Sequence, residues 1–230
     1  MRAAVVVFPG SNCDRDTHYV LSEVAGMEAD LVWHTEGDLA PYDVIVLPGG
    51  FSHGDYLRTG AVAAQAPVMA AVREAAARGV PVLGICNGFQ VLLESGLLPG
   101  AMLRNAGLEF RCQWVHLRVE STATPFTATA PEGRILRLPI AHGEGNYHAP
   151  AELVARLEDD DRIVLRYCDA GGAATAAANP NGSLANVAGI CDERRNVVGL
   201  MPHPERASEA VLGSTDGRVL WESLLAGVAA

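Results

Sequence analysis

Short β-branched runs that alternate with longer Ala-rich stretches leave this 230-residue chain few folds to choose from. Ala3 to Phe8 is apolar at every position, so both of its faces need cover, and it reads as a strand buried inside a sheet. Gly10-Ser11-Asn12 turns the chain. From about Asp14 to Ala25, Tyr19, Val20 and Val24 recur at helical spacing, and Gly26 supplies a stop. Leu31-Val32-Trp33 and Val44 to Leu47 read as further strands, and Thr59 to Arg78 as a long helix despite Pro67 near its start. Val80 to Ile85 is a strand that runs directly into Cys86. Strands separated by helices with short connections predict an α/β fold, a doubly wound, mostly parallel sheet with helices on both faces. From Glu109 to about Ile140 and from Arg162 to Leu200, strand-like segments instead follow one another, with turns at Asn179-Pro180-Asn181-Gly182 and Asp192 to Asn196. These predict added β-hairpins in the second half. A closing amphipathic helix runs from about Asp216 to Leu225. No linker is long enough to divide the chain, so residues 1–230 are expected to form one domain.

Charge and composition exclude several function classes. Seventeen Lys+Arg against 27 Asp+Glu give a net charge of −10 with no basic stripe, which argues against unaided nucleic-acid binding. No apolar run approaches the roughly 20 residues needed to cross a bilayer. The opening apolar stretch is too short for a signal-peptide core, so cytoplasmic residence is the expectation. The five cysteines, Cys13, Cys86, Cys112, Cys168 and Cys191, are odd in number and lack a C-x-x-C pair. Neither a disulfide framework nor a zinc knuckle is implied, and all but Cys86 read as small packed apolar residues.

Gly84-Ile85-Cys86-Asn87-Gly88 sets a nucleophile at the end of an apolar strand, with glycine two residues before and two after, just ahead of a helical run from Gln90 to Glu94. That is the spacing of a nucleophile elbow, where a tight turn and close neighbours leave no room for side chains. A helix start with free backbone N–H groups also favours negative charge on the sulfur. The pattern alone is equally compatible with a buried structural cysteine. A nucleophile needs a base, and His203 lies in Met201-Pro202-His203-Pro204-Glu205, right after the strand-like Val197 to Leu200. Prolines on both sides hold the backbone extended, so His203 and Glu205 project to the same side, where the carboxylate can orient the imidazole. Alone, His203 reads as a loop histidine; together with the elbow it predicts a Cys86-His203-Glu205 triad. An oxyanion hole would come from the backbone N–H groups of Asn87 and of Gly50, in the glycine-rich turn Leu47-Pro48-Gly49-Gly50-Phe51.

Pro48-Gly49-Gly50-Phe51, Gly84 to Gln90 and Pro202-His203-Pro204-Glu205 resemble, in content and order, the signature blocks of the class I, triad-type glutamine amidotransferases. Gly50 to Arg58 and Ala141 to Tyr147 resemble one branch of that family, the glutaminase subunits of phosphoribosylformylglycinamidine synthases, as does Asn87-Gly88-Phe89-Gln90 after the nucleophile. The resemblance implies a flavodoxin-like fold and attack of Cys86 on the side-chain amide of L-glutamine. It also implies a γ-glutamyl thioester, proton transfer by His203, orientation by Glu205, and substrate contacts from Gln90 and Glu144. It assigns no role to Asp55, Arg58 or His142.

Neither G-x-x-x-x-G-K-[ST] nor G-x-G-x-x-G occurs, so no nucleotide, cofactor or metal is expected on this chain. The resemblance implies that ATP and Mg²⁺ are used by a partner synthetase subunit (PurL), bridged by a small third subunit (PurS). Three alternatives remain at the level of sequence. They are a glutaminase serving another pathway, an elbow-cysteine redox or chaperone-like protein of the same fold, and a non-catalytic interaction subunit.

Overall fold

The computed structural model describes residues 1–228, and one sheet of nine strands runs through its middle. β1 (Arg2–Val7) leads to α1 (Asp14–Tyr19), whose winding widens to a π-type turn over Val20–Val24, and then to β2 (Glu28–Trp33) and β3 (Val44–Leu47). α2 (Val68–Ala77), β4 (Val82–Ile85) and α3 (Asn87–Glu94) follow. The second half adds β5 (Ala101–Leu103), the long strands β6 (Arg111–Val119) and β7 (Ile135–His142), and β8 (Asn146–His148). It closes with α4 (Ala151–Asp159), β9 (Ile163–Cys168), β10 (Val187–Cys191), β11 (Val197–Leu200) and α5 (Arg218–Val228). In space the order is β2-β1-β3-β4-β11-β10-β9-β6-β7, while β5 and β8 pair apart.

The sheet has two halves with different reasons to exist. From β2 to β11 every neighbouring pair is parallel. All four residues of β3 and all four of β4 are buried, the continuous apolar run of a strand covered on both faces. From β11 to β7 every pair is antiparallel. There β7 and the second half of β6 alternate buried and less buried positions, as in a sheet covered on one face. The α/β sheet with added hairpins is therefore the fold the alternation predicts.

Three local expectations need adjustment. The helix foreseen over Thr59 to Arg78 forms only from Val68. Ala66, before proline, is extended at ψ 147°, which confines Ala63–Gln65 to an isolated 3₁₀ turn and places Pro67 at the start of α2. Asn179-Pro180-Asn181-Gly182 is no tight hairpin turn; it folds on its own side chains, Asn179 Oδ1 accepting from Gly182 N at 2.8 Å, inside the long connection between the antiparallel neighbours β9 and β10. Asp192 to Asn196 does close the β10–β11 hairpin, with Asp192 Oδ1 accepting from Val197 N at 2.9 Å. Cys112 is exposed, since its end of β6 is uncovered. Among the described residues no helix is long and apolar enough to cross a membrane.

The strand order places the site. The chain passes from β1 outward to β2 and then back across to β3, which makes a switch point at the carboxyl end of β1. Crevices at such points hold ligands because the following loops diverge there. The loops after β1, β3, β4 and β11 all open at this edge.

Candidate active site

Cys86 caps α3 at the end of β4 with φ 50° and ψ −105°, a left-handed backbone that side chains rarely adopt and that the surrounding packing enforces. Its N–H donates to Leu200 O at 2.7 Å, tying the elbow to β11. The two elbow glycines are needed for contact. A Cβ on Gly88 would stand 1.9 Å from Leu47 O on β3, and one on Gly84 2.5 Å from Leu92 Cδ1. Leu47 and Leu200 flank the elbow in register, Leu47 beside Gly84 and Leu200 beside Ile85.

β11 delivers His203 to the same edge. Its N–H donates to Pro139 O on β7 at 2.9 Å, and Nδ1 meets Glu205 Oε1 at 2.6 Å. Both side chains are buried, at 2% and 1% exposure, so their contact is unscreened. Burial opposes charge on the imidazole, but Glu205, Cys86 and Cys13 together hold its pKa well above the ordinary histidine value. Nδ1 is taken by Glu205, while Nε2 is buried and has no hydrogen-bond partner. Cys86, His203 and Gly50 line one cavity of about 170 Å³ with Asn12, Cys13, Phe51, Phe110, Ala141 and Arg206. A larger cleft of about 600 Å³, lined by Tyr19, Trp114 and Ile140 among others, adjoins it and shares Ala141, His203 and Arg206. The Cys86 sulfur borders the smaller one.

A polar network braces the start of α3. Asn87, first residue of α3, accepts through Oδ1 from Ser52 N at 3.1 Å and donates through Nδ2 to Gln90 Oε1 at 2.8 Å and Asp55 Oδ1 at 3.3 Å. Gln90 Nε2 donates to Glu144 O at 2.6 Å, and Glu144 Oε2 accepts from Thr59 Oγ1 at 3.0 Å. Both ends of the Gln90 amide are thus engaged within the protein. Burial, with Glu144 adding like charge, pushes the Asp55 carboxyl up to about 6. Arg58 turns away to pair with Glu94 at 2.6 and 2.7 Å. Gly50, at φ 150°, packs so closely on the first turn that a Cβ would lie 2.7 Å from Ser11 Cα. His142 is a packed neutral ring: burial pushes it down to about 3, and Asn181 Nδ2 donates to its Nε2 at 3.1 Å.

One participant escaped sequence reasoning. Cys13 is buried, as expected of a small packed residue, but it packs on the site: Arg206 Nη2 donates to its sulfur at 3.1 Å, and it shares the cavity with Cys86. The signal available was position, because Asn12-Cys13 follows the strand at the switch point.

The chain is similar to known glutamine amidotransferases. A family model for the CobB/CobQ-like glutamine amidotransferase domain matches residues 1–222. The phosphoribosylformylglycinamidine synthase subunit PurQ of Moorella thermoacetica is 57% identical over 225 residues, covering 98% of this chain and 95% of the relative. That of Koribacter versatilis is 55% identical over 229 residues, covering 100% and 99%. A chain in the structure of PurLQS from Thermotoga maritima superposes with a TM-score of 0.88 at 45% identity, covering 99% of this chain and 98% of that one.

Proposed function

The chain belongs to the CobB/CobQ-like glutamine amidotransferase family, and from that premise we propose how its residues divide the work. It is a glutamine amidotransferase, the glutaminase subunit of a phosphoribosylformylglycinamidine synthase, which releases ammonia from L-glutamine for a synthetase partner in purine biosynthesis. The PurL and PurS subunits are its partners. ATP and Mg²⁺ serve the synthetase step, and the complex works in the cytoplasm.

The observation that carries the assignment of roles is the shared cavity of Cys86 and His203, with Glu205 at 2.6 Å behind the ring. The Cys86 sulfur attacks the side-chain carbonyl carbon of glutamine. Negative charge gathering on the carbonyl oxygen is met by the N–H groups of Gly50 and Asn87, fixed dipoles that need no rearrangement. Imidazolium His203 gives its Nε2 proton to the departing nitrogen as the C–N bond breaks, leaving ammonia and a γ-glutamyl thioester. Neutral His203 then takes a proton from water as the water oxygen attacks the thioester, and the sulfur leaves with glutamate released. Glu205 keeps Nδ1 occupied so that Nε2 faces the reaction. Gln90 and Glu144 support the wall against which the substrate side chain lies.

Replacing the sulfur tests this. In the complex reconstituted with the synthetase and bridging subunits, Cys86→Ser should lose glutamine-dependent turnover by at least about 10³-fold and keep ammonia-dependent turnover. A diazo-oxo-norleucine label should fall on Cys86 and be blocked by glutamine. Glutamine-dependent turnover that survives in Cys86→Ser removes Cys86 as the nucleophile.

A further inference from the structure

We propose that Cys13 is a positioning residue of the glutaminase, its sulfur and the Arg206 guanidinium behind it forming the wall that keeps the His203 ring turned toward Cys86. The proposal rests on the glutaminase reading above and adds a residue to it.

Glu205 grips His203 at Nδ1 only, and with two rotatable side-chain bonds one hydrogen bond at one edge of the ring leaves the far edge free to rock. The buried Nε2 has no hydrogen-bond partner to stop it. Packing must supply the second constraint. A Cβ placed on Gly49 would meet His203 Cε1 at 2.8 Å and the Cys13 sulfur at 3.0 Å, so the turn after β3, the ring and the sulfur converge on one point. The sulfur, one ring nitrogen of His203 and one oxygen of Glu205 all lie within 4.8 Å of one another.

The backbone of Cys13 is pinned from both sides. Its N–H donates to Gly49 O at 3.2 Å, while its carbonyl accepts from Thr17 N at 3.0 Å and Thr17 Oγ1 at 2.7 Å. The side chain is pinned too. Arg206 donates from Nη2 to the sulfur at 3.1 Å and from Nε to Asp16 Oδ2 at 3.2 Å, so Asp16, Arg206, Cys13 and His203 form a chain that starts at the surface and ends at the base. Sulfur suits the place: it is large enough to fill the gap beside the ring and soft enough to accept an N–H while packing on an aromatic edge. A hydroxyl is shorter, and a methyl accepts nothing.

The charged and titratable groups around the ring are Glu205 and Arg206 from its own turn, Cys13 from the start of α1, Cys86 from the elbow and His142 from the end of β7. Of these, Glu205, Cys86 and Cys13 support the imidazolium. Removing the Cys13 contact therefore lowers the His203 pKa, and the alkaline limb of kcat/KM moves to lower pH.

The test uses the reconstituted three-subunit complex with Cys13→Ala, Cys13→Ser and, alongside, Cys86→Ser. Cys13→Ala should lower the glutamine-dependent kcat by about 10- to 100-fold with KM within about threefold, because the ring is misaimed while the substrate pocket is kept. Its alkaline limb should move down by about half a pH unit or more, and Cys13→Ser should recover part of both effects. A Cys13→Ala complex with wild-type kcat and an unmoved limb overturns the proposal. So does a loss of kcat that tracks a lowered melting temperature with the limb unmoved, which marks a structural role only. Glutamine-dependent turnover surviving in Cys86→Ser would instead overturn the glutaminase roles themselves.

Discussion

At the scale of single residues, the 2.6 Å contact between Glu205 and His203 is the strongest handle on the chemistry. Two buried groups at that separation control both where the ring points and how readily it holds a proton. Glu205→Gln keeps the shape and removes the charge, and it should cut glutamine-dependent kcat by about 10² to 10⁴-fold. It should also draw the alkaline limb of the pH profile downward, because Glu205 is the main support for the imidazolium; steady-state kinetics across pH 6–10 would read both. An unchanged limb would show that the pair is not coupled to the proton that matters. These two residues and Cys86 were legible in the sequence because each signal is local, a proline-flanked pair and a glycine-flanked nucleophile. Cys13 was not, since what gives it meaning is Arg206, 193 positions away, and no local pattern reports such a neighbour.

At the scale of elements, the elbow works only because β3, β4 and α3 approach within contact of one another's backbones. Gly88→Ala puts a methyl 1.9 Å from Leu47 O, which a rigid parallel strand cannot yield. We expect a loss of about 3 kcal/mol, or roughly 6–12 °C in melting midpoint for a chain of this length. Thermal melting followed by circular dichroism checks it, and a wild-type midpoint would mean that β3 moves freely. The alternation of strands and helices made the parallel half readable from composition of each segment, and the succession of strand-like segments without helices between them did the same for the added hairpins. What could not be read was where the second helix begins. Ala-rich sequence favours helix throughout Thr59 to Arg78, and one proline, acting on the residue before it, overrides that preference. The loop from Phe51 to Arg58 was equally opaque. Its course depends on Ser52 and Asp55 meeting Asn87 across 35 and 32 positions.

At the scale of the whole molecule, one sheet serves two purposes, a parallel half that presents the reactive loops and an antiparallel half that covers them from the side. His142, at the end of the edge strand β7, lies near enough to His203 to feel its charge and reports on how that strand seats against the site. The unfolded chain takes up a proton there below about 6.5, whereas the folded chain holds the ring neutral until about 3. Its contribution to stability is therefore complete above pH 6.5 and is lost as the pH falls, reaching about 3 kcal/mol by pH 4. Melting curves between pH 7 and 4 should fall more steeply for the wild type than for His142→Gln, which has no proton to gain; parallel curves would place the acid sensitivity elsewhere. The position of β11 has a consequence for biosynthesis. Because that strand lies between β4 and β10, the imidazole arrives beside the sulfur only after a late-translated segment has slotted into the middle of the sheet. A nascent or clipped polypeptide that has made its elbow but not yet received this strand holds the Cys86 sulfur without the His203 imidazole beside it, and should show no glutaminase turnover.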